Sequence, residues 1–247
     1  MFPWIRYLLS FVLLPLVLPM GRKVRDTIFR MPEAPGERKG SVGSGTPELC
    51  IISLGESPIS GVGLSKQTEN FTPLIAQKIY QKSQKNVDWY ILGKTGIRMA
   101  ELLPTFEDQF PEGAGIIFIG MGVNDCKEGT SMLSWKKRWL ALHSHLRRLY
   151  PSAQIICSSV PPFKSFPALP FPVRTFLSYR SELMNDILEK LVSRLDQKTV
   201  FLPLPDFLAP EYFAVDGFHP NAKAHREWGN KIFNTIIQKD NINKLLD

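Results

Sequence analysis

Four short blocks of this sequence carry side chains that could do covalent chemistry together. Gly55-Glu56-Ser57-Pro58 follows an apolar run at 49–54, and Gly93-Lys94-Thr95-Gly96 follows another at 87–92. Gly120-Met121-Gly122-Val123-Asn124-Asp125 follows a third at 116–119, and Asp216-Gly217-Phe218-His219-Pro220-Asn221 stands late in the chain. They supply a hydroxyl nucleophile, an imidazole base, a carboxylate to orient the base, and donors for an oxyanion, which is the inventory of nucleophilic acyl transfer. Each block alone has a bland explanation: a serine after a strand caps a helix, an asparagine makes a turn, a glycine serves the backbone. Weight comes from their joint occurrence, in this order, each after its own strand. Residues three apart share one side of a helical turn, so Asp216 can accept from one imidazole nitrogen of His219 while the other faces Ser57. Pro220, lacking an N–H, suits the first position of a helix and would place His219 at its entrance.

These blocks need a frame that brings them to one edge. Apolar runs at 49–54, 87–92, 116–119, 155–160 and 200–204 end at glycine or proline, or near one. Between them, stretches at 71–84, 97–103, 135–149 and 183–191 repeat apolar residues at helical spacing, and a last helix is expected from 220 to about 238. Apolar runs separated by helices imply parallel strands buried on both faces. The expected fold is a three-layer α/β/α sandwich on a five-stranded parallel sheet, with ligands bound beyond the carboxyl ends of the strands.

The four blocks resemble those of the SGNH, or GDSL-type, serine hydrolases over residues 47–240. Gly-Glu-Ser stands where many members have Gly-Asp-Ser. The following Gly61-Val62-Gly63 and the loop from Pro161 to Pro170 are similar to one branch of that family. The resemblance implies a flavodoxin-like hydrolase fold and an esterase that works through an acyl-enzyme. It implies Ser57 as nucleophile, His219 as base and Asp216 as its partner. The N–H groups of Ser57 and Gly96 and the side-chain amide of Asn124 would form the oxyanion hole, with Gly93 as the alternative to Gly96. Pro58 after the nucleophile, and Met121 and Val123 around the asparagine, depart from the common pattern and leave substrate preference open. No cofactor and no metal is expected. The substrate would be a small-molecule or lipid acyl ester, with a thioester as an alternative. A non-catalytic binding module on the same fold is the competing class, opposed by the presence of every polar catalytic position.

Composition narrows the partners. The chain has 247 residues, 44% hydrophobic and 21% charged, enough for one sizeable core. Its net charge of +7 would suggest nucleic acid, but residues 1–40 alone hold seven Lys/Arg against three Asp/Glu. That basicity lies beside the apolar segment 1–20, which favours a membrane surface over a nucleic-acid groove. The chain divides as 1–20 hydrophobic, 21–46 linker, 47–240 hydrolase domain and 241–247 tail. A helix spanning a bilayer needs about 20 apolar residues; the apolar stretch 7–20 is 14 and contains Pro15 and Pro19. An anchor or interfacial helix, a signal peptide and a buried helix are the three readings. Arg22, Lys23 and Arg25 after the segment slightly favour a cytoplasmic domain. A monomer is expected.

Other chemistry is poorly supported. Gly93-Lys94-Thr95 lacks the earlier glycine of a phosphate loop, Asp88 standing there. His143 and His145, two apart on a helix, diverge. His225 reads as a surface or packing residue. Cys126 lies beside the asparagine block with no base at triad spacing, and three cysteines form no disulfide framework. Asn70-Phe71-Thr72 matches a glycosylation sequon. Residues 129–181 hold eight Lys/Arg and no Asp/Glu, a solvated helix face or a lipid-facing one. The proline-rich 161–172 is either a wall of an acyl pocket or a rigid crossover.

Overall fold

A computed structural model describes residues 2–204 and 209–238; the tail expected at 241–247 lies outside them. The sheet has the strands β1 (Lys39–Val42), β2 (Leu49–Gly55), β3 (Val87–Gly93), β4 (Ile116–Gly120), β5 (Gln154–Ser158) and β6 (Thr199–Leu202), in the order β1-β3-β2-β4-β5-β6. Five are parallel, each overlapping an apolar run read in the sequence, with β5 and β6 ending two residues before their runs do. The sixth, β1, pairs antiparallel with the outer edge of β3. It corrects the five-stranded expectation and puts a strand inside the stretch 21–46 expected as linker. Lys-Gly-Ser-Val shows no buried face, so hydrophobic patterning is silent there; backbone pairing with the free edge of β3 makes the strand. The same stretch is tied down by Gln67, which donates to the Ala34 carbonyl at 3.0 Å, and by Arg38, which donates to the Gly93 carbonyl at 2.8 Å.

The helices are α1 (Pro3–Ser10), α2 (Leu14–Thr27), α3 (Phe71–Ser83), α4 (Met99–Phe106), α5 (Val123–Lys127), α6 (Met132–Leu149), α7 (Val173–Val192) and α8 (Ala222–Gln238). Period-two alternation of the strands splits the core in two. Ile52, Leu54, Ile117, Ile119 and Ile155 face α4, α6 and α7. Ile51, Ile91, Phe118, Ile156 and Val200 face α3 and α8. Trp135 and Trp139 of α6 pack edge to face in the first layer, and Phe71, Phe118 and Trp228 cluster in the second. His225, fully buried on α8, stacks on Phe71.

Chain order reverses between β2 and β4, because β2 connects outward to β3 on one side and the chain returns to β4 on the other. Gly55 is level with Gly93 and with Gly120 across the three strands. The blocks that follow those glycines therefore emerge side by side at the topological switch point, where doubly wound sheets bind ligands.

Candidate active site

The chain leaves β2 in a tight turn: Glu56 N–H donates to the Gly120 carbonyl at 3.2 Å, and the Ser57 carbonyl accepts from Val62 at 3.0 Å. Gly63, at φ +99°, closes this turn. A β-carbon there would lie 2.4 Å from the Pro220 carbonyl and 3.3 Å from His219 Cβ, so its absence lets the histidine loop approach the serine loop.

That loop is built differently from the sequence reading. Phe213 and Pro220 form an isolated bridge, and Ala214 donates to the His219 carbonyl at 2.8 Å, so His219 sits in a hairpin and not at a helix entrance. Helix α8 begins only at Ala222, and Asn221 Oδ1 accepts from Ala224 N–H at 3.1 Å as its cap. Asp216 is brought to His219 by an Asx-type turn. Its Oδ1 accepts from the N–H of Phe218 at 2.9 Å and of His219 at 3.0 Å, and its Oδ2 lies 2.6 Å from His219 Nδ1. A carboxylate can only accept, so Nδ1 carries the proton and Nε2 is left as acceptor. Nε2 stands 3.0 Å from Ser57 Oγ. The three residues, 162 apart in sequence at the widest of these contacts, form one hydrogen-bonded chain.

Burial by itself would raise the Asp216 pKa, but the hydrogen bonds from the His219 ring and from the N–H groups of His219 and Phe218 outweigh it. The carboxyl is held below its ordinary value. Cys126 is the opposite case: burial pushes its thiol up to about 12, so it stays protonated and is no nucleophile.

Glu56 was legible in the sequence only as part of a motif. The structure gives it a task. Fully buried beside Ser57, its Oε1 accepts from Val123 N–H at 2.7 Å, and its Oε2 from Asn124 N–H at 2.9 Å and Asn124 Nδ2 at 2.6 Å. Desolvation raises its pKa to about 7 against those bonds. A carboxylate close behind an apolar run was the available signal, but no spacing rule links residue 56 to residues 123 and 124. Asn124 gives its other amide N–H to the Ile97 carbonyl at 3.1 Å. Among the described residues, the N–H groups of Ser57 and Gly96 are spent on no protein acceptor. Gly96 is exposed at φ +78°, whereas the alternative, Gly93, is a buried strand residue backed by Ser60. The next residue back, Thr95, has its N–H and hydroxyl on the Glu33 carboxylate, both at 2.7 Å, which fills a would-be phosphate cradle with an acid.

A cleft opens over Ser57 and His219. Its wall is apolar, with Met121, Pro162, Phe166, Phe213, Phe218 and Trp228 among its members. Phe166 packs edge to face on Phe213 and Phe218. The proline-rich crossover is thus a wall of this cleft, as one of its two readings had it. No group of three or more His, Cys, Asp or Glu suited to a metal occurs among the described residues. His143 instead meets Asp196 at 3.0 Å.

Residues 53–227 match the model of the GDSL-like Lipase/Acylhydrolase family. The chain belongs to that family. It is an ester-hydrolysing enzyme on an α/β fold, as the resemblance of its four blocks implied. A search of curated proteins finds no match. Among solved structures, a carbohydrate esterase family 2 enzyme with a carbohydrate-binding domain from Corynascus thermopiles (Myceliophthora fergusii) is 16% identical with a TM-score of 0.63, covering 79% of this chain and 67% of that one. A family two carbohydrate esterase from Clostridium thermocellum, in complex with cellohexaose, is 17% identical at TM-score 0.59, with 80% and 66% covered. The lipase Lip_vut3 from a goat rumen metagenome is 16% identical at TM-score 0.61, with 74% and 95% covered. The hydrolase thus spans about two thirds of the length of the two carbohydrate esterases. At these identities the likeness is one of fold.

Proposed function

We propose that this hydrolase cleaves a carboxylic ester through an acyl-enzyme, with Ser57 as nucleophile, His219 as general base and Asp216 as its orienter. The observation that carries the reading is the unbroken contact from Asp216 Oδ2 through His219 to Ser57 Oγ, at 2.6 and 3.0 Å. As Oγ attacks the carbonyl carbon, its proton passes to Nε2. Asp216, already bonded to Nδ1, stabilises the imidazolium, which then returns the proton to the leaving alcohol; water repeats the sequence on the acyl-enzyme. The N–H groups of Ser57 and Gly96 are the two unspent donors for the oxyanion. Asn124 is the third: its bond to Glu56 Oε2 fixes the amide, and the N–H now on the neutral Ile97 carbonyl is the one that an oxyanion, a stronger acceptor, draws off. The apolar cleft supports an ester with an apolar acyl group. Labelling by a fluorophosphonate probe tests the mechanism: the wild type should be labelled at Ser57 and Ser57→Ala should be neither labelled nor active while remaining folded. Hydrolysis of a p-nitrophenyl ester by Ser57→Ala at the wild-type rate would overturn it.

We further propose that the N-terminal helical segment holds the enzyme at a membrane surface. The helical stretch Pro3–Thr27 is long enough to cross a bilayer and contains an 18-residue window of mean hydropathy 1.6, little of which is buried. Trp4, Leu8, Leu9, Val12, Leu16 and Leu18 are exposed, and Arg22, Lys23 and Arg25 follow them. Flotation with anionic vesicles that is lost on replacing Leu8, Val12 and Leu16 by Ser is the expected result; unchanged flotation would reject it.

A further inference from the structure

Helix α5 carries Asn124 and is only five residues long, so its position depends on what grips its two ends. Glu56 holds the first turn through Val123 and Asn124 N–H. The far end meets Arg180, from the middle of α7. Its Nε donates to the Cys126 carbonyl at 2.9 Å, and its guanidinium also donates to the Thr130 carbonyl just beyond. Carboxylate at the amino end and guanidinium at the carboxyl end both suit the helix macrodipole. Asp125, between them, accepts from Met99 N–H at 2.8 Å and from the Thr130 hydroxyl at 2.8 Å, tying α5 sideways to α4.

Arg180 is an unusual group to find there. It is buried, at 4% exposure, and no carboxylate pairs with it among the ion pairs of the described residues. A buried cation is costly unless its N–H groups are all placed. A third hydrogen bond comes from outside the hydrolase domain: Arg180 donates to Tyr7 Oη of α1 at 2.7 Å, and its guanidinium lies 5.6 Å from the Tyr7 ring centre. Tyr7 is seated in turn by Phe11 and Phe176, with ring centres 5.0 and 5.8 Å away, and by the neighbouring Arg6–Glu182 ion pair at 3.1 Å.

We propose that Arg180 is a positioning residue for Asn124, and that docking of the N-terminal helix through Tyr7 completes it. Seating of α1 on α7 then reaches the rate of acyl transfer through α5, without α1 touching substrate. The proposal rests on the oxyanion role given to Asn124 above.

The test is a set of double-mutant cycles on the full-length protein, reading kcat and KM for a p-nitrophenyl ester. Arg180→Lys should lower kcat about tenfold and Tyr7→Phe about threefold, each with KM within about twofold of wild type. In an Asn124→Ala background both effects should shrink below about twofold, since the group they position is gone. A merely structural role would act on kcat equally in both backgrounds. Persistence of the full reductions in Asn124→Ala, or wild-type kcat in both single variants, overturns the proposal. Should Arg180→Lys fail to fold, Tyr7→Phe carries the same cycle, because it removes one hydroxyl from a partly exposed ring. Near-normal kcat in Asn124→Ala alone would mark failure of the oxyanion reading itself and remove this proposal with it.

Discussion

Asn124 and Glu56 work as one unit at the residue scale. In the proposed mechanism the amide donates where negative charge develops only in the transition state, so its loss would fall in kcat and not in KM. Asn124→Ala should lower kcat by about 10²–10³ while Ser57 is still labelled, more slowly, by a fluorophosphonate. Initial rates against substrate concentration separate the two constants. Glu56 does its part as an acceptor of three N–H groups, two of them from the backbone. Glu56→Gln would keep one acceptor oxygen and turn an NH2 toward donors. Its kcat should fall at least as far as that of Arg180→Lys, with KM little changed; a wild-type kcat would show that the three bonds are dispensable.

The scale of elements decides whether nucleophile and base meet. Ser57 leaves β2 and His219 stands in the Phe213–Pro220 hairpin, and Gly63 is the point where those loops touch. Gly63→Ala would put a methyl group within contact of the Pro220 carbonyl at a backbone angle that alanine resists. The hairpin must then move, and a displacement near 1 Å at reacting atoms costs about 10²-fold in rate. The expected variant is folded by circular dichroism yet has kcat/KM lowered by about that factor. The hairpin also shows what spacing conveys. The spacing of three from Asp216 to His219 suited a helical turn in the sequence reading and suits an Asx turn in the structure. The contact was legible, but its backbone was not, because both conformations bring such side chains together.

On the scale of the whole molecule, two buried groups set opposing pH dependences. His225, fully buried without a partner for either ring nitrogen among the described residues, has its pKa depressed by desolvation to about 3 from 6.5. It supports the fold fully above 6.5 and withdraws that support as pH falls toward 3. Glu56 acts the other way. Desolvation raises it from 4.5 to about 7, so its contribution is complete below 4.5 and is lost as pH rises through 7. His225→Leu keeps an apolar contact with Phe71 and removes one of the two. The melting temperature of this variant should fall as pH rises from 4.5 to 7, whereas wild type shows a flatter profile; thermal unfolding at steps across that range checks it. A variant profile that still rose with pH would assign the acid sensitivity elsewhere.

The sequence by itself determined the parallel strands, the helices between them and the four blocks at one sheet edge. These are consequences of periodicity and of chain order, both of which are local. Ser57 and the glycines could be picked out because they stand directly after strands, and Asp216 and His219 by their spacing in the connection before the last helix. Tertiary structure alone decided what joins distant segments without a periodic signal. The edge strand Lys39–Val42 exists because β3 leaves its outer backbone groups unpaired. Glu56 reaches Val123 of α5, 67 residues away in sequence, because β2 and β4 end level. The N-terminal helix, read from hydropathy as a detachable anchor on a linker, is docked on α7 because Tyr7, Arg6 and Phe11 find partners there. Hydropathy sums a segment's affinity for any apolar surroundings; only the folded partner surface selects which face turns inward.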